Sequence, residues 1–181
     1  RTSCEVSCAT ASSDRCWLVR SIESEVQKGG RIRLSARLRD SSGLRSQKLV
    51  AIGRVVTGRR RRCGWLDLVA LRYAVRVNSL TQLFLTKIDI LSAFDTIKVA
   101  TGYTSLGERY DHFPRQQRVL YNCTPIYQEL PGWKTDITGC REFDELPTEA
   151  QDYVSYIEDA IGIPVGWVSV GPERHQLISR Q

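Results

Sequence analysis

Between Trp65 and Asn78 the chain sets Leu66, Val69, Ala70, Tyr73, Ala74 and Val77 along one side of a helical repeat. Polar residues there are confined mostly to Asp67, Arg72 and Arg76. A polar stripe that narrow predicts a helix largely buried inside a bigger body. Leu83 to Ile88 predicts a buried strand, too apolar to keep one face in water. Ile97 to Tyr103 predicts a second strand, residues 104 to 122 a hairpin and surface connection around Gly107, and residues 125–133 a strand ending in the Pro131-Gly132 turn. Thr148 to Ile161 has the clearest amphipathic pattern, with Ala150, Tyr153, Val154, Ile157 and Ile161 at helical spacing. Gly162 stands where a C-terminal cap belongs. Val165 to Val170 predicts a last buried strand. Strands alternating with helices predict an α/β protein on a mainly parallel sheet with flanking helices.

The first 54 residues have another texture. Ten of the first 50 are serine, and helical periodicity is weak before Val26. Only Ile32, Leu34, Ala36 and Leu38 alternate with Arg31, Arg33, Arg37 and Arg39, as in an amphipathic strand. Residues 1–54 hold 11 Lys and Arg against 5 Asp and Glu, a surplus equal to the whole chain's net charge of +6; residues 55–181 hold 15 of each. The basic excess thus lies in an unassigned Ser/Arg-rich segment, read as a surface strand flanked by disorder or as a non-native stretch. The chain starts at Arg1 and has no methionine, which points to an interior or C-terminal piece of a longer product. None of the six cysteines forms a Cys-x-x-Cys pair or lies at zinc spacing from a histidine. Cys63, Cys123 and Cys140 are expected as reduced thiols. With no membrane-length apolar run and no signal-peptide pattern, the expected location is the cytoplasm.

Two motifs carry chemistry. Thr57-Gly58-Arg59-Arg60-Arg61-Arg62 puts four arginines and no lysine on a glycine turn against a buried element. Guanidinium groups donate paired hydrogen bonds to carboxylate or phosphate, so the run suits a small anion held in fixed geometry. It is equally readable as a solvated charge run or a nucleic-acid patch. The second motif, Thr86-Lys87-Ile88-Asp89, follows the strand at Leu83. A carboxylate at the carboxyl end of such a strand lies where α/β folds bind ligands. There Asp89 could accept both the N1–H and the 2-amino hydrogens of guanine, while the Lys87 stem lies along the purine. Alone, the triplet reads as an ordinary strand-end ion pair.

In combination these motifs resemble the adenylosuccinate synthetase family. The resemblance rests on Thr57 through Trp65, Leu71-Arg72-Tyr73-Ala74-Val75-Arg76-Val77-Asn78, Thr86 to Asp89, Leu130-Pro131-Gly132-Trp133, Asp136-Ile137-Thr138-Gly139 and Val170-Gly171-Pro172-Glu173-Arg174. It covers about residues 55 to 180, the C-terminal part of the family. It implies a P-loop-NTPase-like fold and GTP-driven joining of L-aspartate to IMP in AMP biosynthesis, by a cytoplasmic homodimer that uses Mg2+. It also implies site roles. Val55, Val56, Thr57, Gly58, Arg59, Arg60 and Arg61 would close over aspartate, with Arg59 also touching IMP and Arg61 reaching the GTP phosphate. Lys87, Ile88 and Asp89 would read guanine, and Ser169, Val170 and Gly171 would close over the base.

Two departures accompany the resemblance. Val56 stands where the family usually has a threonine, which removes a hydrogen bond worth about 0.5–1.5 kcal/mol. Residues 1–54 do not match what precedes the arginine loop, and the family's N-terminal half, with its phosphate loop, magnesium site and catalytic Asp and His, is not matched. No catalytic residue or metal ligand is therefore assigned, and His112 and His175 receive no role. The isolated chain is expected to lack turnover. The alternatives are an inactive remnant and a basic nucleic-acid-binding module. Charge balance beyond residue 55 and the lack of an aromatic stacking surface weigh against the latter. In an enzyme completed with the family's N-terminal half, Arg59→Lys and Arg61→Lys should each lose about 2–3 kcal/mol of transition-state stabilisation. Steady-state kinetics in aspartate should register this as lower kcat and poorer aspartate use, whereas a mere charged surface would leave both variants near normal.

Overall fold

The computed structural model describes residues 64–180 and the backbone of two earlier strands, β1 (Cys16–Arg20) and β2 (Ala36–Arg37). After them come β3 (Gly64–Asp67), α1 (Leu68–Asn78) and β4 (Gln82–Thr86). A 3-10 turn (Asp89–Ala93) leads into β5 (Thr96–Ser105), β6 (Glu108–Tyr110), α2 (Gln117–Asn122) and β7 (Thr124–Pro131). A second 3-10 turn (Phe143–Glu145), α3 (Thr148–Ile161), β8 (Val165–Ser169) and β9 (Leu177–Ser179) complete the described chain.

The strands form two sheets. In the first, ordered β1-β4-β8-β9, β4 pairs in parallel with both β1 and β8, and β9 returns antiparallel along β8. In the second, β3 runs parallel to β5, while β2, β6 and β7 pair antiparallel with their neighbours. The fold is α/β, but among the described strands only the first sheet is mainly parallel. The reason is connectivity. Between β5 and β6 stand only Leu106 and Gly107, with φ of 54° and 84°, and so short a turn can join only antiparallel strands.

One apolar core joins both sheets and the two longer helices. Leu68, Leu83, Leu85, Ile97, Val99, Val154, Ile157, Val168 and Ile178 are wholly excluded from solvent. Burying each such side chain contributes about 1.5–3 kcal/mol. Helix α3 has the bounds its periodicity predicts, and Gly162 caps it in the left-handed region at φ 75°. In β4, Leu83 and Leu85 face the core, while Phe84 on the other face stacks at a tilt on Trp167, 6.3 Å between centroids. That second face is half-buried and not sealed as its composition predicts.

The helix expected from Trp65 begins three residues later. Leu66 and Asp67 pair with Val99 and Ala100 in the second sheet, and Asp67 then caps α1. Its Oδ1 accepts the Ala70 N–H at 3.0 Å, and its Oδ2 accepts the Tyr103 hydroxyl at 2.6 Å. Asp67 is 8% exposed. Burial pushes its carboxyl up from 3.8 to about 6, against the bonds from Ala70 and Tyr103 and the charge of Arg72. The folded pKa lies above the unfolded one, so this group's contribution to stability is fully present below about pH 4 and is lost as pH rises through about 6. Asp67→Asn should keep the cap through its Oδ1 and remove that loss. Between pH 4 and 7.5 the wild type should therefore lose on the order of 3 kcal/mol relative to the variant, read by urea unfolding at several pH values.

Candidate functional site

Strands β4 and β8 lie side by side and parallel, with Leu85 level with Val168. Their carboxyl ends therefore open on the same edge of the sheet. One strand delivers Lys87, Ile88 and Asp89 there, and the other Ser169, Val170 and Gly171. Strand β1 ends on that edge too, with Arg20 level with Thr86. The two groups of residues predicted around the base are thus brought together, although some eighty residues separate them in the chain.

The turn after β4 is shaped by one unusual backbone. Lys87 has φ 63°, a left-handed conformation that for a side-chain-bearing residue costs about 1 kcal/mol or more. This turns the chain sharply. Ile88 drops into the core, wholly buried, and Asp89 starts the 3-10 turn at half burial. Burial holds the Asp89 carboxyl above its ordinary value, and nearby Asp136 pushes the same way. The Lys87 ammonium and the N–H groups of Asp89 and Ile90 oppose both. Since the Ile88 side chain is in the core, only its peptide group is left to face a ligand.

The facing turn is closed by its own hydrogen bonds. The Ser169 hydroxyl donates to the Gly171 carbonyl at 2.9 Å, and the Val170 N–H donates to the Gln176 carbonyl at 3.0 Å. Val170 itself is wholly buried. A third segment completes the rim. Asp136 accepts the Thr138 N–H at 2.9 Å, which with the Thr138 side chain holds its carboxyl below the usual range. The Thr138 carbonyl accepts from Gln176 Nε2 at 3.2 Å, joining this segment to the turn after β8. The sequence motifs include Asp136 to Gly139, but assign them no contact. Gln176 belongs to no motif, and a lone glutamine carries no signal without its three-dimensional neighbours.

From behind, Leu130-Pro131-Gly132-Trp133 braces the turn that carries Asp89. Trp133 Nε1 donates to Ser92 Oγ at 2.8 Å, and its ring lies 5.9 Å from that of Tyr153 on α3. The Gly132 N–H donates to the Asp95 carbonyl at 2.9 Å, so close that a β-carbon at Gly132 would overlap the Phe94 carbonyl. Lys134 pairs with Asp95 beside it.

Val55, Val56, Thr57, Gly58, Arg59, Arg60 and Arg61 lie outside the described residues. The chain after them enters β3, which is wholly buried. Among the described residues Cys123 and Cys140 are free thiols, and no three His, Cys, Asp or Glu side chains are grouped to hold a metal ion. No helix among them is long and apolar enough to cross a membrane. Gly132→Ala should destabilise the fold by about 1–3 kcal/mol through overpacking against Phe94. Thermal unfolding should show a lower midpoint, with Trp133 fluorescence altered in the folded state.

A family model described as adenylosuccinate synthetase matches residues 33–178, beginning well upstream of Val55. An adenylosuccinate synthetase of Trichlorobacter lovleyi is 48% identical over 139 residues, covering 77% of this chain and 32% of the relative. One from Mycolicibacterium vanbaalenii is 52% identical over 127 residues, covering 70% of this chain and 30% of the relative. A solved structure of fully ligated adenylosuccinate synthetase from Plasmodium falciparum superposes with a TM-score of 0.81 at 33% identity, over 90% of this chain and 39% of that one. The chain spans about a third of the length of the curated relatives it matches.

Proposed function

The chain belongs to the adenylosuccinate synthetase family, and from that premise we propose that it serves the GTP-dependent ligation of IMP and L-aspartate to adenylosuccinate, in AMP biosynthesis. The observation that carries the proposal is the shared edge of β4 and β8, where a half-buried carboxylate, Asp89, stands at the end of one parallel strand and the Ser169–Gly171 turn at the end of the other. This is the position at which open α/β sheets bind nucleotides.

In this reading Asp89 accepts the N1–H and 2-amino hydrogens of guanine. Adenine offers no such pair of donors, so one carboxylate selects the base. Burial strengthens the selection, because an unmet donor or acceptor has no water to turn to. The Lys87 stem covers the purine, the Ile88 peptide borders it, and Ser169, Val170 and Gly171 close the other side. Val55 to Arg61 supplies the aspartate-facing loop, with Arg59 also toward IMP and Arg61 toward the GTP phosphate; their guanidinium forks suit carboxylate and phosphoryl oxygens. Transfer of the GTP γ-phosphoryl to the IMP 6-oxygen makes a leaving group. The aspartate amine then forms the C–N bond as phosphate departs, giving adenylosuccinate, GDP and phosphate.

Residues 55–181 are read as the C-terminal part of the synthetase domain, with the family match from residue 33 supporting an earlier start and the basic segment before it left unassigned. The parallel β1-β4-β8 portion is read as part of a P-loop-NTPase-like sheet. Mg2+ is read as an ion held by family segments outside the matched residues, where it would offset charge on the transferring phosphoryl group. A cytoplasmic homodimer is the expected working form of the complete enzyme.

The test is base selectivity in a chimera carrying a relative's N-terminal part. Asp89→Asn should weaken GTP and improve XTP, whose 2-carbonyl an amide can satisfy and a carboxylate repels. A mispaired buried polar group costs about 1–3 kcal/mol, so the GTP-to-XTP preference in kcat/KM should shift by roughly tens of fold. An equal loss for both nucleotides would mean that Asp89 only supports the fold.

A further inference from the structure

Resting on the base-recognition reading above, we propose that Gln176 is the positioning residue of the site, clamping the Ser169–Gly171 turn to the Asp136–Thr138 segment and so setting how tightly the rim closes on guanine. Four hydrogen bonds converge on this one residue. Its carbonyl accepts the Val170 N–H at 3.0 Å and its N–H donates to the Glu173 carbonyl at 3.0 Å. Its Oε1 accepts the Glu173 N–H at 2.9 Å, and its Nε2 donates to the Thr138 carbonyl at 3.2 Å. Both ends of the amide are therefore used, one within its own turn and one across to the third segment of the rim.

The cross-link is directed at the site. Thr138 is the residue whose N–H orders Asp136, and Asp136 is close enough to Asp89 to act on its charge. Gln176 thus connects the turn after β8, through Thr138 and Asp136, to the surroundings of the carboxylate that reads the base. The amide also explains a glycine. A β-carbon on Gly171 would sit on Oε1, Cδ and Nε2 of Gln176, so the clamp closes only because position 171 carries no side chain. The Gly171 requirement is packing, with no positive φ demanded there. Gln176 does not touch the base in this account. It holds the turn that does, and in its absence Val170 and Ile178 still anchor the flanking strands in the core.

The test uses the 181-residue chain, with GDP and IDP as probes. IDP carries the same phosphates and lacks only the 2-amino group. The wild type should bind GDP more tightly than IDP. Gln176→Ala should reduce that preference roughly tenfold, the equivalent of one lost hydrogen bond in a closed site, with phosphate-driven binding of IDP unchanged. Amide hydrogen exchange should show lost protection at Glu173, whose acceptor is the deleted side chain, with Val168 and Ile178 unaffected. Gln176→Glu keeps the acceptor for the Glu173 N–H but sets a carboxylate oxygen against the Thr138 carbonyl, so it should lose the preference at least as far as Gln176→Ala. A GDP preference present in the wild type and undiminished in Gln176→Ala would overturn the clamp and leave the base-recognition reading standing. No GDP preference in the wild type would overturn that reading, and the clamp with it. Parallel loss of GDP and IDP binding, with protection lost throughout the core, would make Gln176 a folding residue and also sink the proposal.

Discussion

The parallel pairing of β4 with β8 is the constraint on which the rest depends. Parallel strands end on the same edge, so whatever follows Thr86 must face whatever follows Ser169. The pairing is held from one side by Leu83, Leu85, Val165 and Val168, which share one apolar core with Ala150, Tyr153, Val154 and Ile157 of α3. Parallel neighbours cannot be joined by a tight turn, and the chain from β4 to β8 passes through β5, β6, α2 and β7 before α3 leads into β8. The apolar stripe of α3 supplies core beside that pair and delivers the chain to the start of β8.

Around that edge, rigidity is distributed unevenly. The turn carrying Asp89 is braced at its back by the bond from Trp133 to Ser92 and by the close passage of Gly132 against Phe94. The turn after β8 is closed by side-chain and main-chain bonds of its own residues. Arg180 then fastens the end of the described chain: it bonds Glu158 at 2.6 Å, and its guanidinium lies 4.0 Å over the ring of Phe143. Glu158 also accepts the Val165 N–H at 2.6 Å, so one carboxylate joins the end of α3 to the start of β8 and to Arg180 beyond β9. The site is thus fixed by contacts outside it, as preorganised binding requires.

Asp67 illustrates a local signal that was present in the sequence and easily misassigned. An aspartate three residues before Ala70 is a good helix cap, yet within Trp65 to Asn78 it also fits the polar stripe of a longer helix. Pairing with β5 decides the matter, since Leu66 and Asp67 meet Val99 and Ala100. The short helix α2 was illegible for a different reason. It has only Val119 and Leu120 as buried residues, too few for a helical period to emerge. Strand β9, with Ile178 alone buried, is equally silent, and β1 lies in a segment whose composition reads as unfolded.

By itself the sequence determined the α/β class, the helix at Thr148 to Ile161 with its glycine cap, and the family, because those depend on local periodicity and on side-chain types at short spacing. It also singled out Lys87, Asp89 and the Ser169–Gly171 turn as separate pieces. Only the tertiary structure decided that β4 and β8 are neighbours, that the strands divide into two sheets, and that Gln176 reaches Thr138. Those are pairings between residues far apart in the chain. A hydrogen bond across such a distance leaves no period and no spacing to read, since its geometry exists only once the core has closed.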